Sequence, residues 1–300
     1  MKYNQALAVA ALTSLTWGGT GVFVRLLPPI SPFVITASRL LIAAAIVVPV
    51  LLLVKQTRTR LFASLKQPVA YVFALMFVGY YLFATTAFQL ATVAEITLIM
   101  CTPPIFVLII KWFCKEPIPR LHFVGAAVAF VGMAVMAWPQ LSNLAIAKTR
   151  FVGYTFALGS AAITAFYAFF YQRLGAKGKA PESSSVSAMT FAFGALGLVI
   201  VALATGSVNS ELNAEISTRT VLLMIALGLV STAVPTLGFA LSSRFLPPLI
   251  TSTIPLFIPL FGATYAYFLL VETLSAAFFI GAVLIVLGVV LVMRPANSGR

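Results

Sequence analysis

The sequence predicts an all-α membrane protein of ten transmembrane helices, arranged as two inverted five-helix repeats around a central cavity. Three observations lead to this reading. Of the 300 residues, 61% are hydrophobic and only 8% charged, with a mean hydropathy of +1.08. A water-soluble domain of this size carries far more polar surface. Ten apolar runs follow one another with short connections, each about 20 residues long and so able to cross a bilayer as a helix. Finally, Thr97, Pro103, Glu116, Gly125, Ala126, Gly132 and Pro139 recur as Thr253, Pro259, Glu272, Gly281, Ala282, Gly288 and Pro295, every pair separated by the same 156 residues. Phe83, Ala84 and Leu90 match Phe239, Ala240 and Leu246 at that spacing. A fixed offset marks a duplication. Five spans per half is an odd number, so the second half enters the membrane in the opposite sense.

Span one covers 6–25 and carries Trp17-Gly18-Gly19. It follows Lys2 but has no clear small-x-small cleavage site before a mature domain, and further spans follow at once, so it reads as an uncleaved span. Span two, 34–54, holds Arg39, the only basic residue well inside a span. Spans three and four, 69–89 and 94–114, form a hairpin with Glu95 at the mouth of the fourth and Pro103-Pro104 interrupting it. Span five, 119–138, presents Gly125 and Gly132 seven residues apart; span ten, 275–293, repeats them as Gly281 and Gly288. Small residues at such spacing let membrane helices approach closely, within the bundle or in a dimer, so the chain is expected to be a monomer or a homodimer. Spans six to nine fall at 151–171, 187–206, 220–242 and 248–270, the last interrupted by Pro255 and Pro259. The hydrophilic stretches 55–67, 172–186 and 207–219 are too short to fold as domains. The repeats are placed at 1–145 and 146–300. The first span of each half also aligns, at an offset of 148, through Arg25-Leu26 and Arg173-Leu174.

A net charge of +13 would suggest a nucleic-acid partner in a soluble protein. Here positive loops held on the cytoplasmic side account for it, and no nucleic acid is expected. With both termini cytoplasmic, the inner side collects Lys2, Lys55, Arg58, Arg60, Lys66, Lys111, Lys115, Arg120, Arg173, Lys177, Lys179, Arg244, Arg294 and Arg300. The outer side keeps only Arg25, Lys148, Arg150 and Arg219. The chain has no Asp and a single histidine, His122. Cys101 and Cys114 would lie about 20 Å apart on one helix, too far for a disulfide. No zinc spacing and no acid–base constellation is visible, so the sequence predicts no enzyme, no metal and no cofactor.

The order and spacing of several motifs carry a family likeness. They are Trp17-Gly18, Arg39, the segment from Pro103 through Lys115-Glu116-Pro117 to Gly125 and Gly132, the segment from Pro259 through Val271-Glu272-Thr273-Leu274 to Gly281 and Gly288, and Leu229-Val230-Ser231-Thr232-Ala233. With these the chain resembles, over nearly its whole length, a bacterial EamA-type member of the drug/metabolite transporter superfamily. The resemblance implies a ten-helix fold in the bacterial inner (plasma) membrane. It also implies a carrier of small metabolites, often amino acids moved outward.

The residues themselves suggest where a substrate would sit. Trp17, Tyr80, Phe83, Tyr167 and Phe239 are the aromatic candidates, suited to apolar or cationic ligands. Thr20, Thr97, Thr236 and Thr253 could add hydroxyls, or bond back to their own helices. Glu95 could bind an amino group, carry a coupling proton, or simply be a solvated turn residue. Arg39 could pair with Glu95, hold a substrate carboxylate, or lock the helices. Pro103, Pro104, Pro255 and Pro259 are hinge candidates, because proline removes a backbone donor and strains the preceding turn. Glu116 and Glu272 read as caps and surface pairing at helix starts, or as gate contacts. The expected function is export of amino acids or related metabolites by alternating access, with proton coupling as an option. Efflux of lipophilic or cationic drugs is the alternative within transport. A channel or a membrane-embedded enzyme lies outside it. The expected partners are a small-molecule substrate, the lipid bilayer and, with coupling, protons.

Overall fold

Prolines and short polar caps set many of the helix starts. Pro32, Pro68 and Pro103 each open a helix, where a missing N–H costs nothing. Thr92 and Ser217 cap two others by accepting from the backbone N–H of Glu95 and Thr220. The computed structural model describes residues 3–116, 118, 120–139, 144–207, 217–242 and 258–293. Among them there is no strand. The helices are α1 (Tyr3–Gly18), α2 (Thr20–Leu26), α3 (Pro32–Leu53), α4 (Lys55–Leu65), α5 (Pro68–Leu90), α6 (Val93–Ile99), α7 (Pro103–Phe113) and α8 (Arg120–Ala137). Then come α9 (Leu144–Ala176), α10 (Ser183–Ala204), α11 (Thr218–Gly228), a π-helical turn (Leu229–Ala233), α12 (Val234–Ser242), α13 (Ile258–Leu270) and α14 (Ala276–Met293).

Among the described residues, seven helical segments are long and apolar enough to cross a membrane: Asn4–Leu26, Pro32–Leu53, Pro68–Leu90, Val93–Phe113, Lys148–Ala176, Ser183–Ala204 and Thr218–Gly238. Three shorter apolar helices, Arg120–Met136, Ile258–Leu270 and Ala276–Leu291, fall where spans five, nine and ten are expected. Leu53, Leu75, Phe113, Trp138 and Phe268 project outward, each more than two-thirds exposed. That is the surface a bilayer covers.

Three features depart from uniform spans. The fourth is two helices, α6 and α7, separated at Met100–Thr102 just before Pro103-Pro104. The eighth contains the π turn, an insertion that shifts the side-chain register. Residues 55–65, expected as part of a hydrophilic connection, form the amphipathic helix α4, which buries Leu61 and Ser64 and exposes Lys55, Arg58 and Arg60.

Helix neighbours follow an exchange rule. α5 packs on α9 and α12 packs on α1; α7 packs on α9 and α13 packs on α1; α5 packs on α10 and α11 packs on α3. Moving each partner five spans along the chain turns the first member of each pair into the second. α3 with α10 and α8 with α14 map onto themselves. The α8–α14 seam is closed by glycines. A Cβ on Gly132 would lie 2.7 Å from the Gly281 carbonyl oxygen, one on Gly281 would lie 2.6 Å from that of Gly132, and one on Gly288 would strike that of Gly125.

The backbone repeats as well. Lys115 and Val271 are the only described non-glycine residues with positive φ, at 56° and 54°, and they stand 156 residues apart. Each closes a helix C-terminus, with the next N–H reaching back into the last turn: Glu116 to the Lys111 carbonyl (2.9 Å) and Glu272 to that of Ala266 (3.2 Å).

Candidate functional site

One group of buried polar residues, Thr36, Arg39, Thr85, Ser231 and Thr232, lies on α3, α5 and the π turn. Gly228 makes the approach possible, since a Cβ there would lie 2.6 Å from Ile42 Cβ and 3.1 Å from the Arg39 carbonyl oxygen. The π turn then presents Thr232 to α3. Arg39, only 1% exposed, donates from Nε (3.1 Å) and Nη2 (2.9 Å) to Thr232 Oγ1. Its guanidinium sits 4.9 Å from the centroid of the Tyr81 ring, an arrangement that stabilises a cation. Thr232 Oγ1 donates to the Leu227 carbonyl five residues back (2.9 Å), the register of the π turn. Thr236 donates to the Thr232 carbonyl (2.7 Å), and the Tyr81 side chain interacts with Thr236. Ser231 ties the same turn to α1 by donating to the Thr16 carbonyl (3.1 Å). Tyr80 stands edge-on to Tyr81 at 5.3 Å. Three buried polar atoms in this neighbourhood have no hydrogen-bond partner among the described residues: Arg39 Nη1, Thr36 Oγ1 and Thr85 Oγ1.

Glu95 lies elsewhere, and the expected option of an Arg39–Glu95 pair is corrected. Glu95, 5% exposed in the first turn of α6, accepts from Arg150 of α9 at 3.1 Å. The Tyr154 hydroxyl lies beside this pair. Arg150 is closer because α6 packs on α9, whereas Arg39 is turned towards α5 and the π turn. The solvated-turn option for Glu95 is corrected too, since burial and the ion pair hold it in place.

The repeat-related Glu116 and Glu272 both follow helix ends rather than starting helices, which corrects the expected caps on their own following helices. Glu116 pairs with Arg173 at the end of α9, with Lys111 4.0 Å away. Glu272 accepts from the Val93 N–H (3.2 Å) and so caps α6 across the bundle. Burial pushes its carboxyl above the usual carboxylate range, against the opposing pull of that N–H and of nearby Arg25. Arg25 itself makes no ion pair with Glu272; it donates to the Gln89 carbonyl (3.2 Å). Beside it opens a groove of about 470 Å³, lined by Arg25, Pro28, Pro29, Ser31 and Gln89 among others.

The remaining candidates are spread over other seams. Tyr167 is packed among Phe77 (4.4 Å), Phe73 (5.0 Å) and Tyr171 (5.2 Å). Phe83 lies against Phe156 and the bare backbone of Gly159. Thr97 bonds back to the Val93 carbonyl (2.8 Å) and packs on Gly262 of α13. Trp17 is half-buried next to Gly18, which meets Phe261, and Thr20 is buried in α2. Pro103 and Pro104 start α7, and Pro259 is the second residue of α13. The Phe239 side chain, Thr253 and Pro255 lie outside the described residues.

Thus, among the described candidates, Arg39, Tyr80 and Thr236 come together around Tyr81 and the π turn. Sequence reasoning missed Thr232, Tyr81, Thr36, Thr85 and Arg150 as partners. Arg150 carried a usable signal, being an opposite charge expected at the same membrane level as Glu95. Thr36 is one helical turn from Arg39. Among the described residues no cluster of His, Cys, Asp or Glu could hold a metal. The arrangement is suited to holding charge.

A family model described as the EamA-like transporter family matches residues 4–138 and again 151–294. No curated protein matches. A solved crystal structure with 18% sequence identity superposes with a TM-score of 0.66, covering 99% of this chain and 100% of its own. At that identity the likeness speaks for the fold alone.

Proposed function

The chain belongs to the EamA-like transporter family, and from that premise we propose that it exports amino acids or related metabolites across a bacterial inner membrane by alternating access. That it is a multi-pass membrane protein and a small-molecule transporter follows from the family and the long apolar helices. The finer reading is ours: ten spans in two repeats, 1–145 and 146–300, inverted relative to one another, with both termini cytoplasmic.

The observation that carries this reading is the exchange of helix neighbours between the halves. Halves that use the same contacts in opposite orientations can swap conformations around a central site. The repeat-related charges support it. Glu116 with Arg173 and Glu272 with Arg25 are equivalent pairs; the first is made and the second is not. In the proposed orientation the closed pair faces the cytoplasm and the groove beside Arg25 faces outward. The break at Met100–Thr102 is where the fourth span flexes. Proton coupling through Glu95 requires Arg150 to release it.

Reconstituted proteoliposomes test the proposal. Vesicles loaded with a mixture of unlabelled amino acids should take up labelled ones by saturable counterflow. Linear, unsaturable flux would point to a channel instead. Flux of organic cations without amino acids would favour the drug-efflux alternative, for which the Phe73, Phe77, Tyr167 and Tyr171 cluster is the supporting feature.

A further inference from the structure

Arg39 is a buried cation that no carboxylate among the described residues balances. Among the described residues Glu95 pairs with Arg150, Glu116 with Arg173, Glu182 with Arg60, and Glu272 caps α6. Arg39 is left with one hydroxyl oxygen and the face of one aromatic ring. A guanidinium keeps its charge under any physiological condition, and placing it inside a membrane protein is costly without a counter-charge.

The surplus around it consists of donors. A guanidinium has five N–H groups, and two of them share the single Thr232 oxygen, whose own hydrogen is committed to Leu227. Nη1 is unpartnered. Thr36 precedes Arg39 by one turn on α3, and Thr85 follows Tyr81 by one turn on α5. α3 and α5 are neighbours joined through α4, so they run antiparallel, and both threonines lie on the same side of the Arg39–Tyr81 contact. Their hydroxyls are buried and also unpartnered. One free guanidinium edge and two free hydroxyls at one level can all donate at once to a group with two negative acceptor oxygens.

We propose that Arg39, Thr36 and Thr85 form the subsite for the substrate's carboxylate, so that the transported molecules are carboxylic acids, zwitterionic or anionic, and organic cations are rejected. This rests on the carrier reading above and narrows it to one substrate class. The π turn that supplies Thr232 fixes the other edge of the guanidinium and leaves the Nη1 side for the ligand.

The experiment compares each of the twenty standard amino acids with its amide, in which the carboxylate becomes a neutral carboxamide, and adds acetate, succinate and inorganic phosphate. Two readouts are taken on the full chain: thermal stabilisation of the purified protein and flux in proteoliposomes. The proposal expects stabilisation by one or more carboxylates and none by the matching amides. Thr36→Val with Thr85→Val should weaken that response about tenfold or more while leaving the unliganded melting temperature unchanged or higher, because it removes only unpartnered hydroxyls. Arg39→Lys keeps the charge but loses the fork, and should weaken it likewise. Equal response to acids and amides overturns the proposal. So does an unchanged response in the threonine double variant, preference for phosphate over every carboxylate, or no response to any carboxylate. Binding of acids without flux would leave the subsite standing and sink the carrier reading; flux of amides or organic cations would do the reverse.

Discussion

Glu95 shows how a charge in an apolar run is legible while its partner is not. Its position at the start of a span, without an acidic counterpart in the other half, singles it out from sequence alone. What it touches depends on which helix α6 leans against, and that is decided by packing over fifty-odd intervening residues. Arg39 is the same case: its isolation in span two is plain, but Thr232 reaches it only through a turn of irregular register. The Glu95–Arg150 pair is mostly buried, with side-chain exposures of 7% and 25%. Removing one partner strands the other charge. Glu95→Gln should therefore lower stability by about 2 kcal/mol, the partial exposure of Arg150 holding the loss below that of a fully buried pair. Adding Arg150→Gln should recover part of it. Thermal denaturation of the purified variants reads both effects; a single variant as stable as the parent would mean that the pair contributes nothing.

Elements differ in how plainly the chain marks them, for physical reasons. Apolar runs and the prolines opening α3, α5 and α7 mark helices directly, and Pro103-Pro104 marks the break in the fourth span. The π turn left no such mark, because an inserted residue does not alter hydropathy. α4 was hidden by its charges, since only Leu61 and Ser64 are buried. The glycine seam of α8 and α14 was legible as packing because it repeats every seven residues, though the sequence alone could not say whether it closes within one chain. It does, and a test can separate close approach from helix propensity. At Gly281 an added Cβ meets the backbone of Gly132 and the Met136 side chain, whereas at Gly197 of α10 it meets nothing within 4 Å. Gly281→Ala should destabilise by about 1–3 kcal/mol, because backbone atoms cannot move aside cheaply. Gly197→Ala should be neutral or stabilising by up to about 1 kcal/mol. Equal melting temperatures for the two variants would remove the seam from the account of stability.

At the scale of the whole molecule the duplication was the most readable feature, because it is written twice in the same chain. It also constrains motion, which no single conformation displays. If the halves exchange conformations, a contact made by one half in this state must be made by its repeat-related counterpart in the other. Glu116–Arg173 is closed here, with Arg173 also lying 4.5 Å over the Phe169 ring. Its counterpart, Glu272–Arg25, is open, each member held instead by backbone groups of α6 and α5. Alternating access then requires the first pair to part as the second forms. Exposed ion pairs contribute little stability, so such contacts can be made and broken cheaply, as a gate needs. Paired cysteines test this in a background with Cys101 and Cys114 replaced by serine. Glu116→Cys with Arg173→Cys should cross-link in the resting protein and arrest flux until reduced. Arg25→Cys with Glu272→Cys should cross-link slowly at rest and faster during turnover, also arresting flux. Applying both pairs in one molecule should yield one cross-link or the other, never both. Formation of both together, or undiminished flux through the cross-linked Glu116–Arg173 variant, would show that the two ends do not alternate.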